Sequence, residues 1–502
     1  MSRRASEADG FHLLEATIDE IQRAYQDGSL TARALTQAYL DRIQAYDRSG
    51  PGINSIITVA PDALGEADRL DAALRTSGPV GPLHGIPIVL KDQIDAAGTP
   101  TTLGSVLFKD YYPRRDAFVV ERLRKAGAII LAKATLGELG GGDTHGSLFG
   151  STRNPWDLDR TVGGSSGGPG AAVSANLTAV AIGQEGVASI RRPAAWNGIV
   201  GMRSTAGLVS RSGVYSGWPT TNGSLGPMAR TVREVAQLLD VMVGYDPEDP
   251  ITALGVGHAP PTYTAFLDAD GLKGARIGIL RETMNRNSEP DSEDFKKVGQ
   301  IFDRAVGELQ DAGAIVVDPI VIPDLLPLLA KRSGVDDHGA FDVYFARGGN
   351  PPFKSREEML ASPDYSQVRG ARGAATREAR SEGYPPGYPE YLAAREELTI
   401  NIAKVMADHN LDAIVHKTVE HQPTRIGDAG TGKGATSLNT YLVFVPAISV
   451  PAGFTSDNLP VGITFTGRAY TEGTMLKLAH AYEQSTRYRK PPSITPPLPS
   501  EP

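Results

Sequence analysis

No cysteine occurs in the 502 residues. That absence removes disulfides, thiolate zinc sites, iron–sulfur clusters and a thiolate nucleophile in one step, although it does not fix a compartment. Long apolar runs are missing as well. Nothing approaches the roughly 20 residues that span a bilayer, so no segment is expected to enter a membrane. Excess positive charge is the third absence: 50 Lys and Arg stand against 58 Asp and Glu, a formal charge of −8 without a basic block. This balance argues against nucleic acid as a partner and fits a small neutral substrate. The first residues, MSRRASEADGFHLLEATIDEIQ, have no apolar stretch before their acids. No secretory signal is expected, and a cytoplasmic location is.

What remains is ordinary globular material, 40% hydrophobic and 22% charged. The length exceeds an average domain of roughly 150 residues, but large α/β enzymes form single units of this size. We therefore expect one domain over residues 1–502. Its N-terminal helices fall in about 14–46, with a turn at Asp27-Gly28-Ser29 and Thr31 as cap of the second helix. Its core covers about 50–282 and 410–485, where apolar strands such as IPIVL and ARIGIL alternate with helices such as AFVVERLRKAG. That alternation predicts an α/β fold with a large mixed β-sheet covered by helices. Residues 283–400 crowd acids and arginines beside Pro-, Gly- and Tyr-rich stretches, which predicts a helical insertion with long loops. The tail, 490–502, reads as extended and peripheral.

The chemical signal lies in Lys91 of GIPIVLKDQID, Ser165 of VGGSSGG and Ser189 of GQEGVASIRRPAAWNGIVG. The serines are 189 − 165 = 24 residues apart, and the small apolar stretch between them suits one buried helix and a strand. Such a unit can bring both hydroxyls to one pocket. Lys91 follows an apolar strand, where burial disfavours its charge. Holding a lysine neutral near pH 7 requires lowering its pKa by about 3, roughly 4 kcal/mol, and such perturbations concentrate at functional sites. A neutral Lys91 can take a proton from one serine through the other and create an alkoxide-like nucleophile without histidine, metal or cofactor.

Each feature also has a plainer reading. GGSSGG lacks the Gly-Lys-Ser/Thr ending of a nucleotide loop; it suits an oxyanion nest or a simple flexible turn. Ser189 alone is equally a serine satisfied by backbone at a strand-to-helix turn. Lys91 alone is equally the ion-pair partner of Asp92 or Asp95. Among nine histidines, His416 with Glu420 and His421 offers a rival metal set or a Ser-His pair, but the spacing is not that of a helix-borne zinc motif.

From about residue 14 to 485 the chain resembles the amidase signature family. The resemblance rests on GIPIVLKD, DAFVVERLRKAGAIILAKATLGEL, GGSSGG, SIRRPAAWNGIVGMRSTAGLVS, GSLGPMARTV, and PAISVPAGF with LPVGITFTG, in that order. It implies an α/β/α sandwich around a mixed sheet and a Ser–cisSer–Lys triad. Ser189 is then the nucleophile, Ser165 the bridging serine on a cis peptide bond, Lys91 the base, and Ser166 a support. The backbone N–H groups of Gly186, Val187, Ala188 and Ser189 form the oxyanion hole, and no cofactor is implied.

The chain departs from the family where GTDTGGS usually precedes the nucleophile, because here GQEGVAS stands. Glu185 replaces an aspartate, and Val187 and Ala188 replace glycines, so the turn needs negative φ or carries strain. Within the family the chain resembles aryl-acylamide and carbamate-cleaving members, urethanases included, which implies hydrophobic or aryl amides or carbamates as substrates. A glutaminase subunit of a tRNA-dependent amidotransferase, and a binding protein that keeps the fold without catalysis, are the alternatives. For the pocket walls we expect Phe341, Tyr344, Phe345, Tyr384 and Tyr388 from the insertion. Gly141 lies in a glycine-rich flank, Gly137 to Phe149.

Overall fold

Local capping sets the N-terminal elements. Thr17 accepts from the Glu20 N–H while the Glu20 carboxylate accepts from the Thr17 N–H, a reciprocal cap that opens α1 (Ile18–Asp27). Gly28, at φ 78°, closes it. Thr31 accepts from the Ala34 N–H to start α2 (Ala32–Arg42), as its position after the turn predicts. In this computed structural model the described residues are 11–215, 223–285, 288–331, 340–368, 387–428 and 445–502.

An eleven-stranded mixed sheet organises the rest. In chain order its strands are β1 (Ile56–Val59), β2 (Pro87–Lys91), β3 (Ile129–Ala134), β4 (Val180–Glu185), β5 (Val200–Arg203) and β6 (Ser224–Ala229). Then follow β7 (Arg276–Leu280), β8 (Ile315–Ile320), β9 (Ala413–Lys417), β10 (Ala447–Phe454) and β11 (Pro460–Thr466). Their spatial order is β1-β3-β2-β4-β6-β5-β10-β11-β9-β7-β8. Strand β2 runs parallel to β3 and β4, and β7 runs parallel to β8 and β9, while antiparallel pairs join the two groups. Every residue of β2, β3 and β4 is buried, which is why these segments read as continuous apolar runs rather than alternating ones.

Helices α3 (Ala63–Ser77), α4 (Phe118–Lys125), α5 (Gly167–Ser174), α6 (Arg191–Asn197) and α7 (Val232–Met242) follow the strands that feed them. The pair α5 and α6 packs together over the middle of the sheet. Between Ser165 and Ser189 the chain makes one buried helix, α5, and one buried strand, β4, as the composition of that stretch predicts. Gly168 of α5 is required there, because a Cβ would lie 2.3 Å from the Thr135 carbonyl oxygen.

One boundary differs from expectation. Residues 293–320 form α8 (Glu293–Asp311) and β8, which extends the main sheet beside β7 rather than belonging to an insertion. IVVDPI hides this role because an edge strand keeps polar, exposed positions and tolerates proline. Further on, Leu325–Leu329 packs on α9 (Tyr388–Asp408), and short helices occupy Ala340–Phe345 and Arg356–Leu360. After α10 (Glu472–Thr486) the tail is extended but firmly docked. Buried Arg42 donates to the carbonyls of Asn176, Ala175, Thr495 and Pro496 and pairs with Glu501.

Candidate active site

Lys91 ends β2, and Gln184-Glu185 end its parallel neighbour β4, so both side chains emerge at the carboxyl edge of parallel strands. Lys91 is fully buried. Its Nζ lies 2.7 Å from Ser165 Oγ and donates to the Gln184 carbonyl at 3.3 Å. Neither acid suggested as its partner is engaged with it. Asp92 faces Lys133, whose Nζ is 3.4 Å away, and accepts from Thr102. Asp95 accepts from Tyr344 Oη at 2.6 Å and from Thr101. Burial therefore drives the Lys91 pKa well below its ordinary value, and the Glu185 charge opposes the shift without reversing it.

The serine loop is gripped from several sides. The Gly164–Ser165 peptide bond is cis. Ser166 Oγ donates to the Gln184 carbonyl at 3.0 Å and accepts from the Gln184 N–H at 3.2 Å. The Ser166 N–H donates to the Ser189 carbonyl at 3.0 Å, which lays the two serine segments side by side. On the outer side the Gly137 N–H donates to the Ser165 carbonyl, also at 3.0 Å. Gly164 tolerates no side chain, because a Cβ would sit 2.3 Å from the Gly142 oxygen.

The turn from Gly186 to Ser189 resolves the Val-Ala departure. None of its four residues has positive φ, and a Cβ at Gly186 would meet nothing within 4 Å. Side chains are thus admitted without strain. Val187 points outward, 37% exposed, and Ala188 is buried. Among the described residues no acceptor is bound by the N–H groups of Gly186, Val187, Ala188 or Ser189, so four successive backbone donors are left unengaged.

Glu185 holds this turn. Its Oε2 accepts from the Ile190 and Arg191 N–H groups at 2.9 and 3.0 Å, and its Oε1 accepts from Arg191 Nε at 2.9 Å. Burial alone would raise its pKa, but the Arg191 and Arg203 charges and those two N–H groups bring it below the ordinary value. Sequence reasoning noted Glu185 only as a departure and passed over Arg191, Arg192 and Asp143. The available signal was two adjacent arginines, Arg191 and Arg192, opening a short helix, α6, in which every residue is buried.

The other expected residues scatter. Gly141 is exposed at the tip of the glycine loop. Phe341, Tyr344 and Phe345 are buried in an aromatic cluster with Phe108, Tyr111 and Met359. Tyr388 packs with Tyr391 in the first turn of α9, and Tyr384 lies outside the described residues. His416, Glu420 and His421 do not converge. His416 Nδ1 meets the Lys417 carbonyl, Glu420 accepts from the Met284 N–H, and the His421 ring lies edge-on to Phe295. Among the described residues no group of three His, Asp or Glu side chains is placed to hold a metal ion, and no helix is long and apolar enough to cross a membrane.

Residues 34–476 match the family model described as Amidase. The chain is 34% identical over 498 residues to a glutamyl-tRNA(Gln) amidotransferase subunit of Cyanothece sp., covering 94% of this chain and 98% of that one. It is 32% identical to a probable amidase of Arabidopsis thaliana, with 96% and 92% covered. Among solved structures, the native peptide amidase from Stenotrophomonas maltophilia superposes with a TM-score of 0.83 at 35% identity, covering 96% and 99% of the two chains. The chain therefore belongs to the amidase family, the amidase signature enzymes, which are hydrolases of carbon–nitrogen bonds.

Proposed function

We propose that this chain is a serine amidase in which Ser189 is the nucleophile, Ser165 the proton relay and Lys91 the base. The observation that carries the reading is Lys91, buried, 2.7 Å from Ser165 Oγ and in no ion pair with a carboxylate among the described residues. A neutral Lys91 donates one N–H to the Gln184 carbonyl and directs its lone pair at Ser165. Ser189 Oγ attacks the substrate carbonyl as its proton passes to Ser165, whose own proton passes to Lys91. The oxyanion is met by the free N–H groups of Gly186, Val187, Ala188 and Ser189. As the carbon–nitrogen bond breaks, the proton returns through Ser165 to the leaving nitrogen. Water then attacks the Ser189 ester, losing its proton along the same path, and Ser189 is regenerated. With a carbamate the same expulsion of the amine leaves a carbonate ester on Ser189, hydrolysed in the same way. Ser166, bound twice to Gln184, supports the loop.

The substrate in this reading is a neutral amide or carbamate with a hydrophobic or aryl group, and the enzyme works without cofactor or metal. Pairing of the nearby charges supports a neutral ligand: Glu185 is held by Arg191, and Asp143 lies 2.9 Å from Arg192. Gly141 stands at the rim, and Phe341 and Tyr344 shape the wall from behind through their packing. The test compares 4-nitroaniline release from an acyl anilide with release from a matched aryl carbamate, by the wild type and Ser189→Ala. Turnover that Ser189→Ala abolishes is expected; equal turnover by both proteins overturns the assignment. The 34% identity to an amidotransferase subunit favours glutamine as the second substrate to assay. Glutamine hydrolysis with inert anilides and carbamates would replace the aryl reading.

A further inference from the structure

Arg192 is one turn beyond Ser189, and its side chain turns back toward the serine loop. Its Nη2 donates to the Gly164 carbonyl at 2.9 Å. That carbonyl belongs to the peptide bond joining Gly164 to Ser165. The same guanidinium lies 2.9 Å from Asp143 Oδ1 and 5.5 Å from the Trp196 ring centre, and the residue is only 7% exposed. The Arg192 N–H donates to the Ala188 carbonyl at 2.9 Å, inside the turn that carries the free donors. Gly163 lies against it as well, since a Cβ there would be 3.4 Å from Arg192 Cγ and 3.0 Å from Trp196.

These contacts bracket Ser165. On its C-terminal side the Ser166 N–H is bound to the Ser189 carbonyl. On its N-terminal side the Gly164 carbonyl is bound to Arg192, three residues past Ser189. Asp143 brings in the glycine loop, whose Gly137 N–H holds the Ser165 carbonyl. We infer that Arg192 is a positioning residue: by fixing the Gly164 carbonyl to the Ser189 segment it holds the Ser165 hydroxyl in line between Lys91 and Ser189. This rests on the roles proposed above. A buried guanidinium suits the task because its Nη2 lies 2.9 Å from the carbonyl and from the carboxylate at once while its rigid plane is held beside the Trp196 ring, which an ammonium on a flexible stem does less well.

The test follows labelling of Ser189 by a fluorophosphonate probe, separating the maximal labelling rate from the probe concentration at half-maximum, with folding checked by thermal midpoint. Arg192→Met should lower the maximal rate by about 100-fold, the scale expected when a reacting group is misplaced by about 1 Å, with little change in the half-maximal concentration. Arg192→Lys, which can still reach the Gly164 carbonyl, should recover part of the rate, and it serves as the test if Arg192→Met does not fold. Asp143→Asn, which leaves the Gly164 bond in place, should lose much less. Wild-type labelling rates in the Arg192 variants overturn the inference, as does an equal loss in Asp143→Asn. A wild-type protein that takes no label at Ser189 overturns the proposed roles themselves, so the two failures are distinct.

Discussion

Lys91 is the residue on which the proposed chemistry turns. Its folded pKa lies well below the ordinary 10.5 because burial disfavours the charge. The unfolded chain then holds the proton more tightly than the folded one. Stability should therefore rise with pH from the folded value toward about 10.5, and activity should rise over the onset of that window as the amine loses its proton. Lys91→Met is expected to reduce turnover by about 10²- to 10⁴-fold, the usual contribution of a general base, while the thermal midpoint stays level or increases. A midpoint that falls as steeply as the activity would make Lys91 a structural residue. Asp95 gives the opposite sign. Burial raises its carboxyl to about 6 against the hydrogen bonds from Tyr344 and Thr101. The stability it contributes is present below its unfolded value near 3.9 and is lost as pH rises through about 6. Asp95→Asn should flatten the pH dependence of the urea midpoint between pH 4 and 7, and an unchanged slope would count against this assignment.

At the scale of elements, the serine-bearing unit was the most legible part. Glycines, a small apolar helix and a strand over 24 residues can pack in few ways, and α5 with β4 is the way they take. The turn at Val187-Ala188 was harder to read. Glycines usual at those positions suggest left-handed backbone, but here Glu185 caps the turn from below and φ stays negative throughout. Strand β8 escaped notice because an edge strand with Asp318 and Pro319 lacks the apolar run of a central one. The tail is the remaining instance, since a proline-rich end reads as loose and nothing in its own composition points to Arg42. Arg42→Met should cost about 3–5 kcal/mol, as expected for breaking a buried pair, and should open the tail to proteolysis with turnover per folded molecule unchanged. A tail as protease-resistant as in the wild type would show that Arg42 does not hold it.

Across the whole molecule, the mixed sheet was legible because alternation of strand and helix survives over most of the chain. Two parallel groups joined by antiparallel strands, with the site at the carboxyl edge of β2 and β4, follow from pairings that no local pattern encodes. The aromatic side chains of the insertion were visible as residues but not as a cluster: Tyr344 closes on Asp95 and Phe345 stacks on Phe108, packing that depends on the folded path of the chain. A reaction run by lysine and serines alone should be indifferent to chelators, so activity after prolonged dialysis against EDTA should match the untreated protein, and loss restored by a divalent ion would contradict it.

The most direct measurement is to quench turnover of an acyl anilide with acid within its first cycles and map the acyl group by mass spectrometry. The account predicts the acyl mass on the peptide that contains Ser189, absent in Ser189→Ala and strongly diminished in Lys91→Met. Acylation of another residue, or undiminished turnover in Ser189→Ala, would contradict it.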